Sequence, residues 1–197
     1  MKVIVEVSAR HVHLTSADVE ALFGSGVPLT PERPISQTGQ FVANEVVEIC
    51  GPRGAISDVR VVGPTRKQTQ VECSRTDARR LGIEASVCVS GDQSSAAGVT
   101  IRGSIGSLDL PHAAIVARRH VHASTEDALA FGLRDGDSVA VQFRGTRAAI
   151  FEEVIVRVDP SFVWRLHVDT DEANAVGVET GDEVEVLIRG VEGNVIN

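Results

Sequence analysis

The chain has no tyrosine, one tryptophan and six phenylalanines. An aromatic platform for stacking bases or sugars is hard to build from so few rings. Cysteine is scarce as well. Cys50, Cys73 and Cys88 are odd in number and far apart, so neither a disulfide framework nor a C-x-x-C metal knuckle is expected. A reduced, cytoplasmic setting fits that usage. All three read as core fillers, and Cys73, next to Glu72 on a strand, is expected to face away from it. No apolar run approaches the ~20 residues of a membrane span. The opening Met1 to Val7 alternates and lacks the long apolar core of a signal peptide. An excess of basic charge is missing too: the formal net charge is −8, and only Lys2 and Lys67 of the 19 basic residues are lysine. Nucleic acid, which calls for a basic face, is not expected as a partner, and neither is a membrane.

What is present is an ordinary globular balance, 43% hydrophobic and 23% charged over 197 residues. That length holds one domain, or two of ~100 residues. Internal repeats favour two. Ser8-Ala9-Arg10-His11-Val12-His13-Leu14-Thr15 matches Ala117-Arg118-Arg119-His120-Val121-His122-Ala123-Ser124, 109 positions on. Each copy follows a Val/Ile-rich, strand-like run and precedes a Ser/Thr-x-x-acid helix cap. A second repeat runs from Val47-Glu48-Ile49 through Gly51-Pro52-Arg53-Gly54 and Gln70-Val71-Glu72 to Gly82. Its later copy runs from Val139-Ala140-Val141 through Arg144-Gly145-Thr146-Arg147 and Arg165-Leu166-His167 to Gly177, an offset of 95 that places Glu72 on His167. A third pattern, helix end at Gly, Gly-Asp turn and alternating strand, starts at Gly132 and Gly177, with a worn version at Gly82. Short β-branched strands, tight turns and brief helices predict a mainly β chain of two tandem, duplicated small β-barrels. The Ser/Gly/Ala/Asp-rich stretch from Ser90 to Gly106 reads as the divide. It gives an N-terminal barrel over 1–92 and a C-terminal barrel over 93–197, with strand exchange between them open.

Four of the six histidines form two His-x-His pairs. On a strand, residues i and i+2 share a face, and two imidazoles there suit one metal ion. Zinc takes a third protein ligand and keeps a position open when catalytic. His167 supplies that third ligand for the later copy, and the repeat offers Glu72 for the earlier one. Two trios follow: His11, His13 and Glu72; His120, His122 and His167. Against them stands the plainer alternative of two exposed, strand-end His pairs inherited through duplication. His112 has no partner spacing and reads as a solvated loop residue. Phe162 and Trp164 read as packing. Arg66 lies six residues before Glu72, where a guanidinium could clamp an oxyanion or simply face solvent.

Together with Gly39-Gln40-Phe41, the run from Arg66 to Glu72, and His167 to Asn174, these motifs resemble the PduL-type phosphate acyltransferases (phosphotransacylases) over nearly the whole chain. The resemblance implies two small β-barrels with a dinuclear zinc site between them, hence two zinc ions per chain. It implies interconversion of a short acyl-CoA (acetyl or propanoyl) plus phosphate with an acyl phosphate plus coenzyme A. It maps the zinc ligands onto the two trios and the essential arginine onto Arg66. Many members work inside bacterial microcompartments, often behind an N-terminal encapsulation extension. Here the first strand begins at residue 2, so a cytoplasmic enzyme, one recruited in another way, or a chain trimmed of its extension is expected. Homodimerisation is an expectation drawn from small paired barrels. Ala9 stands where many relatives carry Asn.

In this reading phosphate attacks the thioester directly, without a cysteine or serine nucleophile. The Glu72 centre suits the departing thiolate and the all-His centre suits phosphate or the carbonyl oxygen. Rival readings are a cupin-like mononuclear metalloenzyme using His120, His122 and Glu126, and a non-catalytic metal-binding barrel module. An amidohydrolase, which also uses His-x-His, needs a (β/α)₈ barrel of ~250 residues and does not fit the length.

Overall fold

The computed structural model describes residues 1–189 and 195–196. In chain order the strands and helices are β1 (Lys2–Ser8), β2 (His11–His13), α1 (Ser16–Phe23), β3 (Pro31–Pro34), β4 (Phe41–Gly51), β5 (Gly54–Gly63), β6 (Gln70–Glu72) and α2 (Arg75–Leu81). There follow β7 (Val87–Cys88), β8 (Ala97–Arg102), β9 (Ser107–Ala117), β10 (His120–Ala123), α3 (Thr125–Phe131) and β11 (Ser138–Phe143). The last are β12 (Ala149–Val158), β13 (Arg165–Asp169), α4 (Thr170–Val176), β14 (Glu183–Arg189) and β15 (Val195–Ile196). The protein is mainly β, and the four helices among the described residues are only seven or eight residues long. None is long and apolar enough to cross a membrane.

Two compact units form. The first barrel comprises Ala9–Ile35 and Gly39–Ala117; the second comprises Met1–Ser8, Ser36–Thr38 and the chain from Arg118 onward. Each closes a ring of six strands. In the first barrel the order β4-β5-β2-β6-β9-β8 returns to β4. In the second, β1-β13-β10-β12-β11-β14 returns to β1. The chain therefore changes barrel at Ala117–Arg118, well past residue 92. Residues 93–117 stay with the first barrel because β8 and β9 supply two of its six strands. The stretch from Ser90 to Gly106 accordingly lies within the first barrel and contains β8. The strand ahead of each His-x-His motif belongs to the other barrel's ring. β1 runs parallel to β13, and β9 runs parallel to β6.

The period-2 side-chain alternation of a strand explains how the histidines are placed. Val12 and Val121, the central residues of the two motifs, are fully buried in the two cores. They pair with Val71 and Leu166 on the neighbouring strands, which are equally buried. The flanking histidines must then point to the opposite face. Helices this short are marginal alone, and local caps fix their starts. Thr15 accepts from the Asp18 amide, and Ser74/Asp77, Ser124/Asp127 and Asp169/Glu172 form reciprocal capping boxes. Gly82 and Gly177 end α2 and α4 in the left-handed region, at φ 77° and 69°. Cys73 and Cys88 are buried, as expected. Cys50 is not: it is half-buried at a strand end, where its thiol donates to Glu48 at 3.3 Å. His112 is exposed, but it lies on β9 rather than in a loop.

Candidate metal centres

In the first barrel, β2 and β6 run antiparallel with His11 opposite Glu72. That register brings together one donor atom each from His11, His13 and Glu72. His11 Nε2 and His13 Nε2 are 3.2 Å apart, and the Glu72 carboxylate oxygens lie 3.7 Å and 3.9 Å from them. His11 Nδ1 donates to Ala9 O at 2.9 Å, and His13 Nδ1 to Val62 O at 3.1 Å. A carbonyl can only accept, so each Nδ1 carries a proton, and Nε2 is the ring atom turned toward the other members of the trio. Ala9 thus meets the trio through its carbonyl.

The electrostatics fit the same arrangement. Burial holds His13 far below the usual imidazole range, at about 3, with His11 and Arg66 adding to the effect. For Glu72, burial alone would push the pKa up. His11, His13, the Ser90 hydrogen bond and Arg66 outweigh it and hold the carboxyl at about 2. A neutral His13 beside an ionised Glu72 is the protonation state that metal ligation requires, and it also means that this contact is not a salt bridge. Two imidazole Nε2 atoms and a carboxylate converging on one point form a donor set that suits a divalent cation. The spacing suits zinc: two nitrogens at ~2.05 Å from a tetrahedral ion lie about 3.3 Å apart. Imidazole Nδ1 protons on backbone carbonyls are the usual outer contacts of metal-binding histidines.

In the second barrel, β10 and β13 repeat the register, with His120 opposite His167. His120, His122 and His167 bring their ring nitrogens together, with ring centroids 4.4–4.9 Å apart. All three are 8% exposed. His120 Nδ1 donates to Arg118 O at 2.8 Å, the counterpart of His11 and Ala9. Glu126, by contrast, is exposed in the first turn of α3, so the third member of the trio is His167 and not the acid of a His-x-His-x₃-Glu motif.

Arg66 sits beside the first trio. Its backbone N–H donates to Leu14 O at 2.8 Å, and its guanidinium reaches Ser90 Oγ at 3.4 Å. Ser90 in turn donates to Glu72 Oε1 at 2.5 Å. Three residues around the trios escaped the sequence reading. Ser90 lies in the stretch whose composition reads as the divide between the barrels. Gln37, only 2% exposed, exchanges two hydrogen bonds with the Val163 peptide, at 3.2 Å and 3.0 Å. Its amide nitrogen lies 3.5 Å from His167 Nε2. Phe162, expected to be plain packing, stacks on His122 with centroids 3.8 Å apart. A periodicity argument has no signal for any of these contacts. Trp164 packs on Phe131, and its indole N–H donates to Lys2 O.

Residues 4–179 match the family model described as phosphate propanoyltransferase. The chain is 49% identical over 161 residues to a phosphate propanoyltransferase of Thermotoga maritima, an alignment covering 81% of this chain and 77% of that one. It is 45% identical over 158 residues to one from Enterococcus faecalis, covering 80% and 75%. It is 43% identical over 157 residues to one from Rhodopseudomonas palustris, covering 80% and 70%.

Proposed function

The chain belongs to the phosphate propanoyltransferase family and is an acyltransferase; on that premise we propose that it exchanges phosphate for coenzyme A on a short acyl group, with two zinc ions bound. The first zinc is held by His11, His13 and Glu72, the second by His120, His122 and His167. The observation that carries this reading is the convergence, in both barrels, of a donor trio at ligand spacing. In the first trio both Nδ1 atoms are bonded to backbone carbonyls, which turns the two Nε2 atoms toward Glu72.

In the exchange, a phosphate oxygen bonds to the thioester carbonyl carbon and the C–S bond breaks. The proton given up by phosphate ends on the coenzyme A sulfur. A bound divalent ion supplies Lewis-acid stabilisation for the negative charge that develops on oxygen and sulfur. The chain's own residues do the rest. Arg66 orients phosphate, its planar fork matching two phosphate oxygens. Ser90 holds Glu72 and the guanidinium in mutual register. The carboxylate of Glu72 makes the first centre the less positive of the two, and so the better home for the departing thiolate; the all-His centre then takes phosphate or the carbonyl oxygen. Direct transfer is favoured over an acyl-cysteine intermediate. Cys73 is buried, and burial raises the pKa of both Cys50 and Cys88, against thiolate formation. The propanoyl or acetyl group, and a cytoplasmic or microcompartment setting, rest on the family likeness.

The test mixes purified protein with coenzyme A and propanoyl or acetyl phosphate, and follows thioester formation before chelation, after it, and after zinc return. Thioester that vanishes and recovers supports the proposal. Thioester formation indifferent to complete metal removal would overturn the zinc assignment, and none at all from zinc-loaded protein would overturn the activity.

A further inference from the structure

Both barrels contain the same ion pair in the same place. In the first, Arg10 Nε donates to Asp77 Oδ1 at 2.8 Å. In the second, Arg119 Nη1 donates to Glu172 Oε1 at 2.9 Å. Each arginine immediately precedes the first histidine of a trio. Each acid is the third residue of the helix that follows the trio's third member, Glu72 or His167. The acid uses its two oxygens for two tasks. While one takes the arginine, the other closes the capping box: Asp77 Oδ2 accepts from Ser74, and Glu172 Oε2 from the Asp169 amide.

The position of these pairs matters. Ala9-Arg10 and Arg118-Arg119 lie between strands and contain the points where the chain enters each barrel. In both dipeptides the first residue's carbonyl orients the following imidazole, as His11 on Ala9 and His120 on Arg118 show. A segment outside the strand ladder thus aims a ligand, and the arginine ties that segment to the helix leaving the opposite strand. The second arginine is anchored further. Its Nε and Nη2 donate to Glu152 O at 3.0 Å and 2.7 Å, where a bulge interrupts the β11–β12 register and Glu153 adopts φ 56°.

We propose that Arg10–Asp77 and Arg119–Glu172 are positioning pairs, each holding the first and third ligands of one metal centre at bonding separation. Breaking one pair then weakens metal binding at that centre alone. The inference rests on the two-zinc reading above. All four are positioning residues, since none reaches a donor trio itself.

The test is a zinc titration of the full chain against a chromogenic chelator, alongside melting of the zinc-free protein. Arg119→Gln should bind one equivalent as tightly as the unmodified protein and the other at least about tenfold more weakly, the usual scale for an outer-shell contact. Arg10→Gln should do the same, and a His122→Ala background, which leaves only the first centre, identifies the one affected. Arg119→Lys should recover part of the loss. The retained equivalent reports that the variant is folded. Zinc affinities within twofold of the unmodified protein at both centres, with only the zinc-free melting temperature lowered, would overturn the proposal and leave the pairs a structural role. Equal weakening of both centres by one substitution would also overturn it. Unmodified protein that takes up no zinc would remove the premise, an outcome distinct from either.

Discussion

Ser90 Oγ and Glu72 Oε1 are joined by a 2.5 Å hydrogen bond that spans 18 positions of sequence. It fixes which carboxylate oxygen is occupied from behind and leaves the other toward His11, 3.7 Å away. Ser90→Ala removes that contact and the link to Arg66. Zinc affinity at the first centre should fall about tenfold, with the second centre unchanged, measured by competitive titration. Unchanged affinity at the first centre would show that Glu72 needs no support from Ser90.

In the proposed reaction Arg66 orients phosphate and is not a metal ligand. Arg66→Ala should lower turnover by about 10²–10³, the scale for losing one charge-stabilising donor, while zinc content by elemental analysis stays at the unmodified level. Arg66→Lys should restore only part, because an ammonium cannot make the two-pronged contact. A loss of zinc in parallel with activity would instead make Arg66 a structural support of the first centre.

On the two-zinc proposal the trios bind their ions separately. His11→Ala and His120→Ala should each reduce bound zinc from two equivalents to one, and the double variant should hold none, read by elemental analysis after desalting. Both single variants should lose thioester formation. A single variant devoid of zinc would show that the centres bind as one.

Acid should destabilise the zinc-free chain through His13. Its folded-state pKa of about 3 lies below the ordinary imidazole value of 6.5, so between those values the unfolded chain takes up a proton that the folded chain refuses. Stability present above pH 6.5 is therefore lost as pH falls toward 3, by up to about 1.4 kcal/mol per pH unit. Glu72, held at about 2 against an ordinary 4.5, adds a loss of the same sign below pH 4.5. In chelator, the fall in melting temperature between pH 7 and pH 5 should be smaller for His13→Asn than for the unmodified protein. Equal falls would show that His13 is protonated without penalty.

The period-2 spacing of His11, Val12 and His13 puts two imidazoles on one face whatever the rest of the chain does, because strand geometry is local. The 95-residue repeat offset then identified Glu72 and His167 as third members, and the β2–β6 and β10–β13 registers place them opposite His11 and His120. The helix caps at Thr15 and Ser124 were legible for the same local reason. Other features depended on contacts between distant segments. Ser90 and Gln37 reach the trios because a loop folds back and a three-residue insert joins the second barrel, and neither leaves a periodic trace. The pairing of Arg10 with Asp77 links positions 67 apart, and only barrel closure brings them together. The change of barrel falls at Ala117–Arg118 because β8 and β9 complete a ring, a condition on hydrogen-bond closure that composition does not report. Sequence by itself determined which side chains share a strand face and recur in both halves; tertiary structure decided what brings them together and holds them, since that depends on which strands close on which.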